Sequence, residues 1–267
     1  MITDSSACLP LEWCERYAIS VLPISAHDGL LDETAVEPES DWRLPASVEL
    51  EELEAANHPF VTEYLAAVEE NGDLPAVIVT PAIEFATMYR NAALAVELAD
   101  RPAVAVDSRT AAAGQALVVL AGAQAARNGA PLEEVVAAIE DASRRVELIA
   151  SLATLEPIRQ NGPIPADVLG PVELDGARSV FRMHDGVVEP LGEAAPVEET
   201  LRTIADHLAK TTPRGIERAT VFHAGVPELA RRLEDLLGGV DFVSGFSLAM
   251  QVHTGRGVVG AAWLPRP

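Results

Sequence analysis

The sequence predicts an α/β fold in two parts: an N-terminal, mostly parallel sheet flanked by helices over residues 1–158, and a C-terminal mixed α+β sheet unit over 159–267. Three observations predict it. Continuous apolar runs at 76–80 (Ala-Val-Ile-Val-Thr) and 103–106 (Ala-Val-Ala-Val) have the character of strands buried on both faces. Each run is followed by a helical pattern, at 83–98 and at 111–128, and strand–helix alternation at this spacing implies a parallel sheet. After Ile158 the pattern changes to short strands separated by Gly or Asp-Gly, which is the punctuation of hairpins.

The elements follow in order. A strand opens the chain at 1–3, and the polar cluster Asp4-Ser5-Ser6 suits the cap of a helix beginning at Leu9-Pro10-Leu11-Glu12. Residues 19–24 form a second short strand, with Pro23 placing it at an edge or a strand end. The helix at 111–128 ends at Gly129, which suits the position just past a helix terminus. A further amphipathic helix covers 131–145 and a strand 148–152. Gln160-Asn161-Gly162-Pro163-Ile164-Pro165 is rich in turn residues and marks the division between the two units. Beyond it, strands are predicted at 172–174, 179–183, 187–191 and 219–222, helices at 197–210 and 227–237, and a closing strand at 258–264 after the stretch 242–252.

Composition limits what the protein can do. The 267 residues carry 41 acidic and 19 basic side chains, a formal net charge of −22 with a pI near 4.5. Such a surface has no cationic patch with which to neutralise phosphates, so nucleic acid and anionic lipid headgroups are excluded as partners. Hydrophobic residues make up 49% and aromatics only 4%, so the core is built from Ala, Val, Leu and Ile. The most apolar stretch, 110–126, is interrupted by Gln115 and Gln124 and is mostly alanine, which argues against membrane insertion. The start has Asp4 and no basic region, so it does not resemble a secretory signal, and a cytoplasmic location is expected. Cys8 and Cys14 supply neither a disulfide framework nor a metal site.

Several motifs fail on inspection. Gly255-Arg256-Gly257-Val258-Val259-Gly260 spells GxGxxG, but a dinucleotide site needs a following helix, strand and acidic residue, and only seven residues remain. The run is better taken as a tight turn between two strands. No GxSxG elbow occurs, and the sole lysine, Lys210, lies at a helix end outside any phosphate loop. His253 and Thr254 precede the turn at a strand end, and His223 stands at the equivalent place after Thr220-Val221-Phe222. Strand-end loops are where α/β folds bind ligands, and an anion could be held there by amides and an imidazole. Each histidine could equally be satisfied by local backbone. No histidines have the spacing zinc requires, and the residues alone give a two-unit α/β protein with an anion-tolerant strand-end site and no demonstrable catalytic apparatus.

Taken in order, five stretches resemble the DegV family over nearly the whole chain. Ile2-Thr3-Asp4-Ser5-Ser6-Ala7-Cys8-Leu9-Pro10 is similar to that family's TDSxxDLP start, with Cys8 in place of the acid. Val21-Leu22-Pro23-Ile24 matches its VxPL strand, and Val106 to Gly114 its V(I)DSxxxSxGxG motif. Thr154-Leu155-Glu156, with Ile158-Arg159 and Asn161-Gly162, is similar to TLExLxxGGRI. His253-Thr254-Gly255, Gly257 and Gly260-Ala261 match the closing HTGPGxxGxxF.

The resemblance implies a lipid carrier that encloses a long-chain fatty acid in a buried tunnel and presents its carboxylate to a separate fatty acid kinase, which makes an acyl phosphate. It implies a head group held near Asn57, Thr80, Ala82, Ile83, Arg159, His253 and Thr254. The chain departs from the family there. Ala56-Asn57-His58-Pro59-Phe60 stands where the family has Thr-Ser-Gln-Pro-Ser, the stretch from Thr80 to Tyr89 lacks the serine at Ala82 or Ile83, and Pro163 replaces the arginine of GGRI. Arg159 is a nearby substitute, and Thr80 or Asn57 can return a donor. Burying about fourteen methylenes at roughly 0.8 kcal/mol each supplies about 11 kcal/mol of gross driving force. A hydrogen bond to a charged head group supplies only about 1.5 to 3 kcal/mol. Tail binding can therefore survive an altered head-group site. The alternative reading is a small-ligand or enzymatic subunit similar to the substrate-binding subunit of dihydroxyacetone kinase, using His253 or His223.

Overall fold

A computed structural model describes residues 1–24, 59–84, 87–161 and 176–267. The α/β class expected from the sequence is the one observed, with two sheets. Strands β1 (Ile2–Asp4), β2 (Ser20–Leu22), β3 (Ala76–Thr80) and β4 (Ala103–Asp107) form a wholly parallel sheet in the order β2-β1-β3-β4. Strands β5 (Glu147–Leu152), β6 (Ser179–His184), β7 (Val187–Pro190), β8 (Ile216–His223), β9 (Phe242–Gly245) and β10 (Val259–Pro265) form a mixed sheet in the order β7-β6-β5-β10-β8-β9. In it only β8 and β9 run parallel. The described helices are α1 (Leu11–Tyr17), α2 (Val61–Glu70), α3 (Met88–Leu98), α4 (Ala112–Arg127), α5 (Leu132–Arg145), α6 (Glu156–Asn161), α7 (Val197–Thr211), α8 (Pro227–Leu237) and α9 (Leu248–Thr254).

The period-two alternation of the strands sorts side chains into layers. Ala76 and Ile78 of β3 point to a core with Tyr64 and Val68 of α2 and Ala92 and Ala95 of α3. Val77 and Val79 point the other way, onto α4. The second sheet repeats the arrangement. Leu148, Phe181, Phe222 and Ala262 face α4 and α5, while Ile149, Val221, Ala261 and Trp263 face α7 and α8. The result is five layers, helix–sheet–helix–sheet–helix, with α4 at the centre. That position explains why α4 is apolar all round, with Ala112 to Leu120 buried without a break. Gly122 permits its close packing on α5, since a Cβ there would lie 2.5 Å from Ile139 Cγ1.

Several local expectations are corrected. Asp4 caps a 3₁₀ turn at Ser5–Ala7, and α1 begins only at Leu11 after Pro10. Ile83, Glu84 and Thr87 do not join α3, which starts at Met88. The strand expected at 148–152 belongs to the second sheet, between β6 and β10. Residues 160 and 161 of the turn-rich stretch still belong to α6. His253 and Thr254 end a helix, not a strand, because Ser247 caps α9 by accepting the Met250 N–H. The glycine turn accordingly joins a helix to β10. The strand expected at 172–174 lies outside the described residues.

Candidate functional site

In the first sheet the chain passes from β1 to β2 on one side and from β3 to β4 on the other, with α1 and α3 on opposite faces. The β1/β3 boundary is therefore a topological switch point, and the carboxyl ends of such strands are where α/β folds place ligands. Four elements converge there: Asp4-Ser5-Ser6 after β1, Thr80-Pro81-Ala82 after β3, Ser108 to Thr110 after β4, and Gln115 from the first turn of α4.

The side chains of β1, the turn after it and α4 form one buried network. Thr3 Oγ1 donates to the Val79 carbonyl at 2.8 Å, and Gln115 Nε2 donates to Thr3 Oγ1 at 3.0 Å and to Asp4 Oδ2 at 3.2 Å. Asp4 Oδ1 accepts the Ser6 N–H at 3.0 Å and the Ser6 hydroxyl. Ser5 Oγ accepts the Ile24 N–H at 2.9 Å, fixing the end of β2. Burial pushes the Asp4 carboxyl up to about 6, against the opposing effect of its Ser6 and Gln115 donors. Burial also raises the Cys8 thiol, with the Asp4 charge adding to it, and raises Cys14 to about 11, so neither cysteine is a ready nucleophile.

The end of the second sheet packs against these strand ends. Phe222 of β8 stacks on Phe246 at 5.4 Å between centroids, and both share a core with Cys8, Ala82, Leu155 and Ile158. Ala249 of α9 packs with Ile24 and Met88 of the first sheet's side. The β6–β7 turn reaches across: Gly186 N–H donates to the Arg109 carbonyl at 2.7 Å, and Arg109 Nε pairs with Asp185 at 2.8 Å. Behind the glycine turn, Arg178 is buried and donates to Ser151 Oγ at 2.8 Å, to the Ser151 carbonyl at 2.9 Å and to the Gly257 carbonyl. Among the described residues no carboxylate pairs with it, and burial lowers its pKa.

The residues expected to hold a head group are distributed unevenly. Thr80 is wholly buried, and its hydroxyl donates to the Pro81 carbonyl at 3.2 Å. Ala82 is wholly buried, with its N–H on the Thr110 carbonyl at 2.8 Å, whereas Ile83 is 45% exposed. Arg159 and His253 are half-buried on α6 and α9, two helices that pack against each other. The Thr254 hydroxyl donates to the Met250 carbonyl at 2.8 Å. His223 is buried at the end of β8, and its Nδ1 accepts the Val226 N–H at 3.3 Å. Asn57 lies outside the described residues. Sequence reasoning missed the Asp4–Ser6–Gln115 network and Arg178. A glutamine in an otherwise apolar helix was the available signal for the first, because a buried amide requires partners. Among the described residues no group of His, Cys, Asp and Glu could hold a metal ion, and no helix is long and apolar enough to cross a membrane.

An apolar junction of Ala82, Leu155, Ile158, Phe222 and Phe246 beside a few polar groups at strand ends suits an amphiphile, apolar over most of its length and polar at one end. A family model described as "Uncharacterised protein, DegV family" matches residues 1–266. The chain belongs to the DegV family. Among DegV relatives, the fatty acid-binding protein of Thermotoga maritima is 24% identical over 275 residues, covering 97% of this chain and 95% of that protein. The solved structure of DegV from Bacillus subtilis, described as a fatty acid binding protein, has a TM-score of 0.82 at 20% identity over 99% of this chain and 98% of that one. A solved structure from Thermotoga maritima, described as revealing a fatty acid binding function, has a TM-score of 0.82 at 21% identity over 99% of this chain and 98% of that one. The DegV motif stretches quoted above end β1, β2 and β4, open α4 and α6, and close α9 in this fold.

Proposed function

We propose that this DegV chain is a non-catalytic carrier. It encloses one long-chain fatty acid, needs no cofactor, acts in the cytoplasm, and presents the carboxylate to a fatty acid kinase catalytic subunit that forms an acyl phosphate. The observation that carries the reading is the apolar junction of the two sheets, where Ala82, Leu155, Ile158, Phe222 and Phe246 meet the switch-point strand ends. Family membership and the fatty acids named for its relatives support the choice of ligand. The low aromatic content fits as well, because walls of Ala, Val and Leu leave room for a chain. The head group is assigned to Asn57, Thr80, Ala82, Ile83, Arg159, His253 and Thr254, and the chain is divided functionally into 1–158 and 159–267.

Native mass spectrometry of protein purified from bacteria tests the reading. The expected spectrum contains a species heavier than the polypeptide by one long-chain fatty acid. An empty protein that also refuses added palmitate and oleate overturns the proposal.

A further inference from the structure

The second sheet has a cavity at the end away from the junction. It lies at the start of β8, with Arg218 about 13 Å along the strand from Phe222. Its volume of about 420 Å³ is within the range that holds small ligands. Ala121 of α4 and Ala138 of α5 give it an apolar part, and its charged lining comes from α5, β8 and the residue before β9. Adjacent strand residues ordinarily face opposite sides of a sheet. Here Leu264 pairs with Arg218 and Pro265 with Ile216, so Glu217 is the extra residue of a β-bulge, and Glu217 and Arg218 both reach the cavity. Bulges re-aim side chains in this way beside functional sites.

The two arginines of the lining are bonded very differently. Arg145 is saturated: Nε and Nη2 lie 2.7 Å from Asp141 Oδ2, and Nη1 donates to Glu217 at 2.9 Å and to the Pro265 carbonyl. Arg218, whose side chain is only 17% exposed, has no bond of that quality. Its guanidinium lies over the Trp13 ring at 5.4 Å, and among the described residues its polar contacts are the Tyr17 hydroxyl at 3.4 Å and Asp241 at 3.5 Å, both at the limit of bonding. Each of those partners is held by a shorter bond elsewhere. Tyr17 donates to Gln124 Oε1 at 2.9 Å, and Asp241 Oδ2 accepts the Ala219 N–H at 2.9 Å. The cavity thus presents under-used donors at Arg218 and, around Arg145, two carboxylates that share one cation. A simple anion answers the first and is repelled by the second, a simple amine does the reverse, and a neutral polyol answers neither charge.

We propose that this cavity binds a small zwitterion of the amino-acid class, with its carboxylate on Arg218, its ammonium on Asp141 and Glu217, and a short side chain against Ala121 and Ala138. The site is separate from the lipid junction and does not depend on the carrier reading. The test is saturation-transfer NMR and calorimetry of the protein with glycine, alanine and serine, against acetate, methylammonium and glycerol, which carry one charge or none. The expected result is saturable binding of at least one amino acid at about millimolar concentration or tighter, and of none of the three controls. Arg218→Met should raise the dissociation constant about tenfold or more. Glu217→Gln, at a side chain 42% exposed, should raise it about threefold or more. Palmitate uptake should be the same in both variants as in wild type. No saturable binding of any of the three amino acids, equal binding of a control, or an unchanged affinity in either variant would overturn the proposal. If Arg218→Met does not fold, Glu217→Gln decides alone. A wild type that takes up no palmitate overturns the carrier reading and leaves this one standing.

Discussion

Replacing Asp4 by Asn tests the charge state of the network that closes the end of β1. In the unfolded chain a carboxyl titrates near the ordinary 3.8, and in the fold burial holds Asp4 at about 6. The folded state therefore binds the proton more tightly than the unfolded state. Stability contributed by this residue rises as pH falls through 6 and is fully gained below 3.8. At about 1.36 kcal/mol per unit, a gap of about two units amounts to about 3 kcal/mol in total. Moving from about pH 7.5 to about pH 5 realises about 1.4 kcal/mol of it, since the lower value is one unit beneath the folded pKa. Asparagine cannot titrate, and its altered hydrogen bonding with Gln115 and Ser6 is an offset that does not depend on pH. Urea unfolding of wild type and Asp4→Asn at the two pH values isolates the residue from the other carboxylates, which cancel in the difference. Wild type should gain about 1.4 kcal/mol relative to the variant on acidification. A difference that is flat with pH, or that moves the other way, would refute the claim that Asp4 is desolvated.

Two further outcomes follow from the second sheet. Arg178→Met removes the donors to Ser151 Oγ and to the Ser151 and Gly257 carbonyls, and should cost about 3 kcal/mol in chemical denaturation. Arg178→Lys should recover less than half, because one ammonium cannot reach three acceptors placed for a planar fork. Gly260→Ala should be at least as damaging, with a loss of about 3 kcal/mol, since its Cβ would lie 2.3 Å from the Ile149 carbonyl and 2.4 Å from the Phe222 ring. A loss below about 1 kcal/mol in either case would mean that the sheet relaxes more easily than its packing implies.

The parts of the fold that sequence made legible are those in which local pattern and tertiary environment agree. Residues 76–80 are apolar on both faces because both faces are covered, and the hairpin β6–β7 is announced by Asp185-Gly186. Sheet membership of β5 was not legible, because an apolar strand does not state its neighbours, and the antiparallel pairing with β10 joins residues more than a hundred positions apart. The stretch 242–252 combines strand and helix within one apolar run, and only the hydroxyl of Ser247 marks the break. At the site, histidines and a glycine-rich turn drew notice because their chemistry is conspicuous. Asp4 and Gln115 were passed over because each has an ordinary explanation alone, a cap and an interruption, and acquires its meaning only when α4 brings them within 3.2 Å.

Helix α4 also bears on how the molecule comes apart. One side of it completes the core beneath β3, and the other completes the core beneath β5, β8 and β10. Withdrawing it exposes apolar surface on both sheets at once, so neither sheet can open along that face while the other keeps its own. The two halves of the sequence are thus tied into one cooperative unit, expected to melt in a single transition despite their different topologies. A greasy ligand lodged at their junction would be counted in the stability of the whole chain rather than of either half.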